Sequence, residues 1–248
     1  TEDKTMTDKN KEFWEDGSFY GEYVSEELND ERKNLWKERI KKRLKGSGSL
    51  RVLDIGCGPG FFSCILSEEG HRVTGIDRSA DMLRYAAINA DRLGVKPEFK
   101  IMDAGALEFE DNEFDLIISR NVTWTFREPE KTYRGFYDKL KKGGQLIIYD
   151  ANWHLPFYDE DMMKAVRENE KKYFEIYGKE FKVYDDDTEI FDDLPLSNIK
   201  RPEWDIEVLK NIGFTDIEID EDAGSGLYKE WEKLLYSVTP LFEISAIK

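Results

Sequence analysis

The stretch VLDIGCGPGFFS, Val52–Ser63, decides how the rest of the chain is read. An apolar run reaches an acid, Asp54, and three glycines then alternate at Gly56, Gly58 and Gly60. The apolar run predicts a strand buried on both faces of a parallel sheet. FFSCILSEEG, 61–70, predicts a helix that stops at Gly70. Glycines at a strand-to-helix turn let the backbone adopt positive φ and approach a ligand closely. The helix N-terminus behind them favours polar or negative ligand groups.

Outward from that turn, strands and helices alternate. HRVTGID (71–77), PEFKIMD (97–103), FDLIIS (114–119) and QLIIYDA (145–151) read as strands. SADMLRYAAINADRLG (79–94), with Ser79 as N-cap, and PEKTYRGFYDKLKKGG (129–144) read as helices. Residues 202–213 read as a further helix, and 214–220 and 237–248 as the last strands. The pattern predicts an α/β fold: a doubly wound, mainly parallel seven-stranded sheet with helices on both faces. Upstream, 25–45 reads as one helix with Ser25 as N-cap, and Phe13, Trp14, Phe19, Tyr20 and Tyr23 mark a segment that docks on the body. Residues 153–200 are acidic, aromatic and poorly periodic, and read as an insertion. The expected organisation is a single domain over 1–248, with an N-terminal cap segment over 1–45 and a lid over 153–200.

Composition bounds the function. The chain has 248 residues, 40% hydrophobic, with a formal charge of −16. A core is within reach, while polyphosphate is repelled, so no nucleic-acid partner is expected. No 18-residue apolar run or signal segment is visible, so the expectation is a cytoplasmic protein that does not enter a membrane. Cys57 sits within the glycine turn and Cys64 in the helix after it, and two cysteines make neither a structural zinc site nor a plausible disulfide there. No metal is expected. DDDTEIFDD, 185–193, lacks the glycine of a calcium loop and reads as solvated acid.

Two ligand readings compete at the glycines. A dinucleotide fingerprint needs Gly or Ala three residues after Gly58, and that position is Phe61, too bulky for the close helix–strand packing required. A nicotinamide dehydrogenase is therefore disfavoured. The chain instead resembles the class I S-adenosylmethionine-dependent methyltransferases. VLDIGCGPG carries the glycine motif, and GIDRSADML puts Asp77 at the end of strand two. MDAGALEFEDNEFD gives Asp103 and the strand-opening Asp115, and LKKGGQLII leads into strand five. The resemblance implies S-adenosyl-L-methionine as cofactor and S-adenosyl-L-homocysteine as product. It places Gly56, Gly58, Gly60 and Asp54 by the methionine portion and Asp77 by the ribose, with Arg78 and Met82 also among the cofactor contacts. Asp103 and Ala104 would lie by the adenine, and Arg120 beside the cofactor. Asp77 and Asp103 also suit capping of the turns that follow them.

The acceptor would lie beyond strands four and five. SRNVTWTF offers Arg120, Asn121 and Trp124, DANWH offers Asn152, Trp153 and His154, and the cap offers Tyr20 and Tyr23. His154 and Arg120 are the candidate catalytic groups. A histidine at a strand's C-terminal end can serve as base or only as a structural hydrogen-bonding group. Methyl transfer gains mostly from positioning and needs no base when the acceptor arrives deprotonated. From Leu155 to Asp222 there are 21 acids and 9 bases, interleaved with Tyr158, Tyr173, Phe174, Tyr177, Phe181, Tyr184 and Phe191. Such a cover favours a cationic or amine substrate. The expected partner is a small molecule, methylated by in-line displacement. The competing expectation is a protein that binds the cofactor without catalysis.

Overall fold

A computed structural model describes residues 18–184 and 194–248. Phe13, Trp14, Phe191 and the acidic run 185–193 lie outside the described residues. Seven strands form one sheet in the order β3-β2-β1-β4-β5-β7-β6. They are β1 Arg51–Ile55, β2 Arg72–Asp77, β3 Glu98–Ile101, β4 Phe114–Arg120, β5 Leu140–Asp150, β6 Thr215–Asp220 and β7 Phe242–Ile247. β1 pairs in parallel with β2 and β4, and β4 in parallel with β5, whereas β7 runs antiparallel to both β5 and β6. The strand order reverses between β1 and β4, and in such sheets ligands bind at the carboxyl ends of the strands beside that reversal.

The helices are α1 Ser18–Asn29, α2 Arg32–Arg43, α3 Phe61–Glu68, α4 Ala80–Leu93, α5 Pro129–Lys139, α6 Glu160–Tyr177, α7 Glu203–Ile212 and α8 Glu230–Leu235. One buried cluster joins α1–α3 to the sheet through Trp36, Ile40, Phe62, Ile118 and Tyr149. The other joins α5 and α7 to the opposite face through Phe114, Tyr133, Phe136 and Leu209. Cys57 and Cys64 are both buried and free.

Four local expectations are corrected. The helix predicted over 25–45 is two helices, because the Asp30 carboxylate accepts the Arg32 amide (2.8 Å) and breaks the first from the second. The first also begins earlier, at Ser18. The helix predicted to reach Gly144 stops at Lys139. Gly143 and Gly144 belong to β5 instead, where the Gly143 amide donates to the Lys248 carbonyl and the Lys248 amide to that of Gly144, each at 2.9 Å.

The insertion is not aperiodic. α6 runs for 18 residues, with Asp159 accepting from the Met162 amide and Gly178 closing it at φ 67°. Only Val166 and Asn169 of α6 are fully buried, so its apolar stripe is narrow and its acids dominate the sequence pattern. The strand predicted from 237 starts at Phe242, and α8 precedes it.

Trp36 is 2% exposed and meets Phe62 and Tyr149 edge-on at 5.1 and 4.9 Å. Its indole donates to Glu27 of α1 (3.2 Å). Trp36→Ala is expected to cost about 3–5 kcal/mol of stability, measured by urea unfolding. A loss below about 1 kcal/mol would show that α2 docks by other means.

Candidate functional site

Near the end of β1, Asp54 is 2% exposed and accepts from the Ser63 hydroxyl at 2.7 Å. The turn that follows takes positive φ at Gly56 (58°), Gly58 (51°) and Gly60 (84°). A Cβ at Gly56 would strike Val122, and one at Gly60 would crowd Ala86, so these two are also required by packing. A Cβ at Gly58 would meet nothing within 4 Å. The loop is therefore open on that side and closed on the others, the shape of a cradle.

Asp77 at the tip of β2 fixes this loop. One carboxylate oxygen accepts the Gly58 amide and the other the Ser79 amide, both at 2.9 Å. Burial raises the Asp77 carboxyl above its ordinary range, although the amides of Ser79, Gly58 and Arg78 pull it back down. Ser79 in turn caps α4, accepting from the Met82 amide at 3.2 Å, and the Met82 side chain is buried. At the tip of β3, Asp103 is exposed and accepts the Gly105 amide (2.7 Å), and Arg78 Nε lies 3.5 Å from its carboxylate. Ala104 beside it is partly buried against the α5–α7 core. The structure thus brings Asp54, the glycines and Asp77 into one place, with Arg78, Asp103 and Ala104 along the adjoining strand tip.

Arg120, expected as a catalytic or cofactor contact, is held in an ion pair. Its guanidinium donates to both carboxylate oxygens of Glu27, each at 2.9 Å, and lies 4.4 Å from the centre of the Phe61 ring. It fastens α1 over the end of β4. Glu27 was not singled out from the sequence. Its one signal is its position in an N-terminal segment already read as docked.

Some of the residues expected on the acceptor side are tied together by another unforeseen group, Arg201, which is 2% exposed. It donates to Asp205 twice (2.8 and 2.7 Å), to Asp150 (3.0 Å) and to the Thr123 hydroxyl (2.6 Å). Asp150 also accepts the Trp124 amide at 2.9 Å. Asn152 is not directed at a ligand: its amide donates to the Arg201 carbonyl (2.7 Å) and its oxygen accepts the Arg201 amide (2.9 Å). His154 is 5% exposed, stacks on Trp124 at 5.6 Å and meets the tilted Phe157 ring at 5.0 Å, so it is packed among rings. Asn121 is exposed at φ 58° and accepts the Trp124 indole on its carbonyl (3.3 Å). Trp153 meets Tyr236 edge-on at 5.7 Å. Tyr20 is half-buried, and Tyr23 bonds Glu232 at 3.2 Å. The i, i+4 spacing of Arg201 and Asp205 at the start of α7 is the signal that could have exposed this network.

Residues 47–216 match the family described as Methyltransferase domain. The chain belongs to this methyltransferase family. Among curated relatives, phosphoethanolamine N-methyltransferase 3 of Arabidopsis thaliana is 37% identical over 40% of the chain and 21% of its own length. A ubiquinone biosynthesis O-methyltransferase of Ruegeria pomeroyi is 33% identical over 42% of each. The chain therefore spans less than half of either relative. Among solved structures, Haemonchus contortus phosphoethanolamine N-methyltransferase 2 in complex with S-adenosyl-L-methionine superposes with a TM-score of 0.60. It is 23% identical and covers 86% of this chain and 52% of that one. At that identity the likeness is one of fold.

The methyltransferase loop carries a pH signature. Burial pushes Asp54 up to about 7, against the opposing pull of Ser63 and Arg120. A raised acid stabilises the fold while protonated. That contribution is complete below the ordinary carboxylate range and is lost as pH rises through about 7. Asp54→Asn is expected to remove a pH-dependent loss on the order of 2–4 kcal/mol between acid and neutral pH. Urea midpoints of both proteins at pH 5 and pH 8 measure it, and parallel profiles would contradict it. Among the described residues, no helix is long and apolar enough to cross a membrane.

Proposed function

We propose that this chain binds S-adenosyl-L-methionine on the glycine loop and transfers its methyl group to a small-molecule acceptor. The observation that carries the reading is the loop itself. Three positive-φ glycines with an open face at Gly58 are pinned by the β2 carboxylate, at the sheet's ligand crevice. The residues present fit the cofactor. The open backbone at Gly58 suits its methionine portion, and Asp54 offers a carboxylate near an ammonium group. Asp77 retains acceptor capacity for ribose hydroxyls beyond its two amides, because each carboxylate oxygen accepts more than one hydrogen bond. Asp103 and the Ala104 amide stand where an adenine edge would be addressed.

When bound, this cofactor supplies an electrophilic methyl group on a cationic sulfur. The chain's own part is positioning and exclusion of water. α1, held by Glu27 and Arg120, roofs the crevice from one side, and the Arg201 network fixes the loops after β4 and β5 on the other. His154, the candidate base, is buried, stacked on Trp124 and packed against the tilted Phe157 ring. The reading is therefore displacement by an acceptor that arrives deprotonated, without a general base from His154. The small size of the acceptor and a cytoplasmic location belong to the same proposal.

Asp77→Ala is expected to weaken S-adenosyl-L-homocysteine binding by about 1–3 kcal/mol, the cost of stranding hydrogen-bonding groups. Calorimetric titration measures it, and an unchanged affinity would displace the cofactor from this crevice. Release of S-adenosyl-L-homocysteine in the presence of amine, phenol and thiol acceptors separates catalysis from binding alone.

A further inference from the structure

Beyond the glycine loop, aromatic side chains from three separate parts of the chain converge on the acceptor side. Tyr20 and Tyr23 come from α1, Trp153 follows β5, and Tyr228 and Tyr236 flank α8. Tyr236 meets both Trp153 and Tyr228 at 5.7 Å. Tyr23 is hydrogen-bonded to Glu232 within α8. Tyr236 lies within electrostatic reach of Tyr20 and Tyr23, and Tyr228 within that of Arg120 at the end of β4. All five rings keep part of their surface open to solvent although they sit among packed elements. They form an aromatic wall over the carboxyl ends of β4 and β5.

The polar groups on this wall decide what it can hold. Glu232 is 1% exposed, and it accepts from Tyr23, from Arg32 at 3.2 Å and from the Lys229 amide at 2.8 Å. Arg32 is also matched to Asp30, and Arg120 to both oxygens of Glu27. The guanidiniums of Arg32 and Arg120 are thus spent on carboxylates. A phosphate or carboxylate entering here would lose its hydration with neither of those cations released to receive it. Burial raises the phenols of Tyr20, Tyr23, Tyr228 and Tyr236, so the wall carries neutral hydroxyls at physiological pH. The Arg32 guanidinium already lies over the Tyr23 ring at 5.5 Å; what remains attractive is the negative face of the other rings, which draws a cation.

We propose that this aromatic wall is the acceptor site and that it takes a compact organic ammonium compound without a phosphate group. The proposal rests on the methyltransferase reading of the chain. In the transfer, the ammonium first gives its proton to water. The nitrogen lone pair then forms the new N–C bond as the C–S bond of the methyl donor breaks, leaving S-adenosyl-L-homocysteine.

Choline serves as a probe that cannot itself accept a methyl group at nitrogen. It would be titrated calorimetrically into protein saturated with S-adenosyl-L-homocysteine. The comparisons are phosphocholine and the uncharged analogue in which carbon replaces nitrogen. Choline is expected to bind at least about tenfold more tightly than either. Tyr236→Leu is expected to weaken choline about fivefold, and Tyr236→Phe to retain it, with S-adenosyl-L-homocysteine affinity unchanged in both. Equal binding of choline and the uncharged analogue, tighter phosphocholine, or no binding of choline to the saturated protein would each overturn the proposal and leave the methyltransferase reading standing. Failure of S-adenosyl-L-homocysteine itself to bind would remove that reading, and this proposal with it.

Discussion

Asp77 holds two backbone amides at once, and the geometry of the crevice depends on it. Through Gly58 it sets the path of a loop whose glycines occupy a region of φ closed to most side chains. Through Ser79 it sets the start of α4. A carboxylate that orders two amides is already partly organised for more donors, so the strand tip is prepared before any ligand arrives. Its burial raises its own proton affinity, and the amides offset part of that cost.

Two buried ion pairs then position what lies above the loop. Glu27 and Arg120 join α1 to β4, with the guanidinium laid over Phe61 immediately after the glycines. Arg201 joins the far end of the insertion to the tips of β4 and β5 through Asp150 and Thr123. Breaking one partner of such a pair leaves an uncompensated buried charge. Both pairs therefore resist change even though neither touches the glycine turn directly. They tie the N-terminal helix and the chain before α7 to the ends of β4 and β5.

The fold was legible where physics is local. The apolar strands, the Ser79 cap, the Gly94 stop and the glycine turn each carry their signal within a few residues, and the sheet order follows from strand–helix alternation. Long-range pairing was not legible. Nothing adjacent to Glu27 names Arg120, 93 positions away, and nothing adjacent to Asp150 names Arg201. Asn152 read as a substrate contact and His154 as a candidate catalytic group because of their residue types. Their neighbours in space commit the first to the Arg201 backbone and the second to ring stacking. The paired glycines at 143–144 misled for a related reason: a glycine pair ends a helix or bends a strand equally well, and the partner strand decides.

The most direct test of the account is calorimetric titration of the purified chain with S-adenosyl-L-methionine and S-adenosyl-L-homocysteine at matched ionic strength. The account predicts one saturable site, with both ligands binding in the micromolar range. Absence of heat for both ligands, in protein that still unfolds cooperatively, would contradict it.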